Sequence, residues 1–163
     1  MAIAPIHFFK KLSNEDYEIV KFAIQQHNKK NIAPCEDDRK ILFAKLIRDA
    51  DKLDIYRVLE PFLAQDNADK MPKFIKGTQI AAVSPDFVEN FVTGKQADYR
   101  KIRTNGDRKI VRLMWIYDIN FAWTMKKIVE RGYIEKIVNN LPQDEKIAEG
   151  VKRLRDYVKN FIG

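Results

Sequence analysis

Between positions 48 and 54 the chain places Arg48, Asp49, Asp51, Lys52 and Asp54 in one short string. Apolar residues surround it at Phe43, Leu46, Ile47, Ala50 and Leu53, with helical period. At about 100° per residue these five fall in one arc of roughly 120°. Asp54 sits near the middle of that arc and Asp51 at its edge, while Arg48, Asp49 and Lys52 point the other way. The wheel therefore predicts two carboxylates turned toward the core, where an unpaired charge is costly. Such carboxylates need a metal, a cationic partner or a dense set of donors. Carboxylate and imidazole ligands on a divalent cation are the equipment of metal-assisted hydrolysis. The plainer alternative is a buried carboxylate paired with Arg or Lys, or capping a neighbouring helix.

Two histidines are present, His7 and His27. His27 shares a helical face with Tyr17, Val20 and Ile24, one turn from a helix end. It reads either as a satisfied core histidine or as a metal ligand or proton donor. His7 has no neighbour at ligand spacing and reads as a packing or surface residue. Glycine-rich phosphate loops, Gly-x-Ser-x-Gly, Cys-x-x-Cys and His-Glu-x-x-His are absent from the sequence.

The elements that must carry these groups are helical. Ser13 caps a helix that ends at Asn28–Asn31, and Pro34 interrupts the connector. Residues 37–59 form a second helix, expected to run antiparallel to the first and to bring His27 near its start. Residues 60–82 are the least regular. There Met71-Pro72-Lys73-Phe74-Ile75-Lys76 is a surface loop or a flap, and residues 78–83 are a short extended piece. Ser84-Pro85 opens a helix that Gly94 closes. Residues 107–131 read as one long helix or as two joined near Asp118. Gly132 is a stop, a short helix follows at 133–139, and the last helix runs over about 144–161. The expected class is all-α. One helical domain spans 1–163, with a helix pair at 13–60 and a helical extension at 84–163.

A chain of 163 residues that is 45% hydrophobic is long and apolar enough for a core and is not disordered. The net charge of +7 is compatible with polyanionic partners. A lone Cys35 excludes an intrachain disulfide. The start Met1-Ala2-Ile3-Ala4 lacks the basic residues of a signal peptide, and no apolar run approaches the roughly 20 residues of a membrane helix. These features point to the cytoplasm.

The string Arg48-Asp49-Ala50-Asp51-Lys52-Leu53-Asp54, preceded by Ala23-Ile24-Gln25-Gln26-His27-Asn28, resembles the last metal-ligand segment of the HD-domain phosphohydrolases and the helix before it. Asp98-Tyr99-Arg100-Lys101, Thr104-x-x-Asp107-Arg108 and Trp115-Ile116-Tyr117-Asp118-Ile119-Asn120-Phe121 resemble the tail of a bacterial branch of that superfamily, so the similarity runs from about Glu15 onward. It implies a helical bundle of HD type and a metal-dependent hydrolase of a phosphate ester or nucleotide. Asp51 matches the metal ligand. His27 is the implied catalytic helper, Arg48 and Lys52 are the phosphate-binding candidates, and Asp54 orients a neighbouring group. The implied cofactor is a divalent cation: manganese, magnesium, nickel or cobalt. The departure is the missing His-Asp doublet: His7 precedes Phe8 and His27 precedes Asn28. The chain therefore reads as a C-terminal portion, truncated at the N-terminus, with weak metal binding and little hydrolysis. Bared apolar surface would favour a homo-oligomer, with Phe8 and Phe9 near the contact. The second reading is a non-catalytic basic module binding nucleic acid or a nucleotide. It would use Lys95, Arg100, Lys101, Arg103, Arg108, Lys109 and Arg112 with Tyr99.

Overall fold

Local capping sets where the helices begin and end. In the computed structural model, which describes residues 12–63, 82–95 and 97–163, seven α-helices form and no strand is present among the described residues. The N-terminal lead with His7, Phe8 and Phe9, and the 71–76 segment, lie outside the described residues. No helix among the described residues is long and apolar enough to cross a membrane.

The chain divides into two compact units, Met1–Asp51 and Lys52–Gly163. In the first, α1 (Asn14–Gln26) starts at Ser13, whose hydroxyl oxygen accepts from the Asp16 amide at 3.1 Å. The second helix, α2 (Asp38–Leu63), begins where Asp37 Oδ1 accepts from the amides of Arg39 and Lys40. Arg39 reaches Glu15 at 2.6 Å and Asp16 at 2.9 Å, so the starts of the two helices lie together. Further along, Arg48 donates to the carbonyl of Gln26 at the end of α1 and to those of Lys29 and Lys30 in the turn after it. The two helices therefore run in the same direction, not antiparallel as expected. The physical reason is electrostatic. A guanidinium satisfies carbonyls that a helix C-terminus leaves unpaired, and the residues from 27 to 37 return the chain to the start of α2.

The second unit holds the main core. It contains α3 (Pro85–Thr93), α4 (Asn105–Met114), α5 (Ala122–Glu130), α6 (Tyr133–Val138) and α7 (Glu145–Ile162). Ser84 takes the N-cap position of α3, but its hydroxyl donates to Asp107 at 2.9 Å instead of capping the helix. Gly94 closes α3 with φ +69°, a left-handed conformation that an L side chain resists. Thr104 and Asp107 form a reciprocal capping box at α4. A 3-10 turn at Trp115–Asp118 separates α4 from α5, so the 107–131 stretch is two helices. On α7, Ile147, Val151, Leu154 and Val158 recur with helical period and are buried with Phe87 and Phe91 of α3. Gly150 lets α3 approach: a Cβ there would lie 2.4 Å from Phe91 Cδ1. Tyr56, from the second half of α2, stacks on Tyr133 at 5.5 Å and donates its hydroxyl proton to the Arg112 carbonyl.

Candidate metal and phosphate site

Helix α2 turns the opposite way from its wheel. Arg48 is 4% exposed, Asp49 2% and Lys52 7%. Leu42, Phe43 and Leu46 are exposed instead, and so are Ala50 and Asp54. Asp51 is half-buried. The face taken for solvent is buried, and most of the face taken for core is open, with Ile47 and Leu53 half-buried. The charges tolerate burial because they have acceptors: the three carbonyls for Arg48, and for Lys52 the Asp118 carboxylate at 2.8 Å. The same inversion occurs on α1. Tyr17 and Ile24 are exposed, while Ile19 and Ala23 are buried.

The basic pair expected at a phosphate is buried and engaged within the fold: Arg48 donates its guanidinium to backbone carbonyls, and Lys52 pairs with Asp118. Asp54 is exposed and pairs with Arg57 at 2.7 Å on its own helix.

His27 caps the end of α1, half-buried, with Nδ1 2.6 Å from the Ile24 carbonyl. A carbonyl can only accept, so Nδ1 carries the proton and, in the neutral ring, Nε2 holds the lone pair. Backbone anchoring of the far nitrogen is how ligating imidazoles are commonly oriented. Arg48 fastens Gln26, the residue before His27, to α2 one turn before Asp51. No ion pair or side-chain hydrogen bond joins Asp51 to another described residue. Among the described residues no group of three His, Cys, Asp or Glu side chains converges to hold a metal ion. Neither Asp51 nor His27 belongs to such a group among the described residues.

Part of the basic stretch expected for nucleic acid is engaged in the fold and part is exposed. Lys109 is buried and donates to the Asn140 carbonyl at 2.9 Å. The Arg112 guanidinium lies 3.9 Å over the Trp115 ring, and burial lowers its pKa from the usual arginine range. Arg100 pairs with Asp98 and Arg103 with Asp86. The Arg100 guanidinium, bonded to Asp98, brings that carboxyl down to about 2.

Sequence reasoning missed Asp107 and Asp118 as organising residues. Asp107 is fully buried and accepts from Ser84 N, Ser84 Oγ, Arg103 N and Thr104 N at 2.7 to 3.1 Å. Burial pushes its carboxyl up, but these donors outweigh it and the pKa is lowered. The Thr104-x-x-Asp107 spacing was a readable capping-box signal. The partner of Lys52 had no local signal. No family model, curated protein or solved structure matches the chain.

Proposed function

We propose that this chain is an HD-type phosphohydrolase module that supplies part of a metal site, Asp51 and His27, for a phosphate ester or nucleotide. The observation that supports the reading is the Arg48 clamp. It ties the end of α1, which carries His27, to the turn of α2 before Asp51, and Nδ1 of His27 is already held by a carbonyl. In this reading Asp51 contributes an anionic oxygen and His27 Nε2 a neutral nitrogen. The remaining ligands come from another chain. The module alone therefore has no hydrolytic turnover.

The test is turnover of a generic phosphate ester by the full chain with manganese, magnesium, nickel and cobalt in turn. The expected result is no rate above buffer with any of them. Chelator-sensitive turnover abolished by Asp51→Ala would contradict the incompleteness of the site and point to ligands this reading leaves out, His7 first.

A further inference from the structure

The first unit exposes more large apolar side chains than it buries among its described residues. Leu42, Phe43 and Leu46 are 46, 38 and 45% exposed, against buried Ile19, Ala23 and Ala44. On α2 these three form a stripe with exposed Ala50, and charged residues stand at its two ends, Arg39 before and Asp54 after. The helix is continuous from Asp38 to Leu63, so helical period alone aligns them.

The order of this stripe is self-complementary. A two-fold axis perpendicular to the helix between positions 46 and 47 sets Arg39 of one copy opposite Asp54 of the other. It sets Phe43 opposite Ala50, large against small, and places the two Leu46 side chains on either side of the axis. Arg39 already pairs with Glu15 and Asp16, and Asp54 with Arg57. Bringing Arg39 to the other copy's Asp54 extends these pairs into a row of alternating sign, with no like charges opposed. We infer that the chain forms a homodimer through antiparallel packing of α2 on α2, centred on Leu46. An isologous contact of this kind closes on itself as a dimer.

Light scattering on the full chain across a concentration series reads the mass directly. The expected species is twice the 19.1 kDa chain. Leu46→Glu, at an exposed position, is expected to weaken association at least tenfold with unchanged helical circular dichroism. Register is read by cross-linking. With Cys35→Ser in the background, Leu46→Cys is expected to form a disulfide-linked dimer on mild oxidation, and Val58→Cys, far from the axis, is not. A monomer at every concentration would overturn the proposal, as would a dimer indifferent to Leu46→Glu. Cross-linking through position 58 and not 46 would overturn the register.

Discussion

Asp107 holds the second unit at one atom pair. Its carboxylate accepts hydrogen bonds from Ser84, Arg103 and Thr104, and so joins the start of α3 to the start of α4. Removing it in Asp107→Ala leaves several buried donors without a partner, each costing about 1 to 3 kcal/mol. The expected loss in urea unfolding is about 3 kcal/mol, and Asp107→Asn is expected to lose less. The pH dependence follows from the lowered pKa. Between the folded value and the ordinary carboxyl value of 3.8 the unfolded chain binds more protons. The contribution of Asp107 is therefore complete above the ordinary value and is lost as pH falls through the folded one. Acid titration of the unfolding midpoint checks this: wild type should lose stability on acidification more steeply than Asp107→Asn.

Arg48 and Lys52 belong to the same scale. Because Arg48 spans three carbonyls with a planar fork, Arg48→Lys should fail to restore what Arg48→Ala loses, expected at about 3 kcal/mol in denaturant unfolding. A rescue by lysine would mean that charge alone, and not the fork, holds the end of α1. Lys52→Ala removes the ammonium from the Asp118 carboxylate, which keeps some solvent access, and should cost about 2 kcal/mol by the same measurement.

At the scale of elements, what was legible in the sequence was local. Ser13, Thr104 with Asp107, Gly94, Gly132 and Asp144 end or begin helices where their types predict, because capping and left-handed turns depend on a few neighbouring residues. The facing of α2 was not legible. A helical wheel assumes that the apolar arc goes inward, and here the charged arc does. Its acceptors are carbonyls of a preceding helix end and a carboxylate in a distant turn, and no periodicity encodes those. The direction of α2 relative to α1 was lost for the same reason, since the Arg39 and Arg48 pairings that set it are non-local. Close packing of α3 on α7 also rests on one residue. Gly150→Ala would drive a methyl into the Phe91 ring, and overpacking costs about 1 to 3 kcal/mol. That exceeds the helix-propensity gain of about 1 kcal/mol. A lowered thermal midpoint is expected; a raised one would show that Phe91 can swing aside.

At the scale of the whole molecule, the basic stretch Lys95–Arg112 has two of its cations built into the fold, Lys109 on the Asn140 carbonyl and Arg112 over the Trp115 ring, while Arg100 and Arg103 stay exposed in surface pairs. The functional account rests instead on the first unit, where Asp51 stands one turn beyond the Arg48 clamp and His27 closes α1. The candidate site was legible as residue types in a string, and the partners that assign those residues their work were not. The most direct measurement is calorimetric titration of manganese into the full chain, Asp51→Ala and Asp54→Ala. Asp54 is the proper control, since it is exposed on the same helix, whereas Asp49 is buried and its loss would disturb the fold. The account predicts weak binding that Asp51→Ala removes and Asp54→Ala retains. Binding unchanged by Asp51→Ala, or lost only with Asp54→Ala, would contradict it.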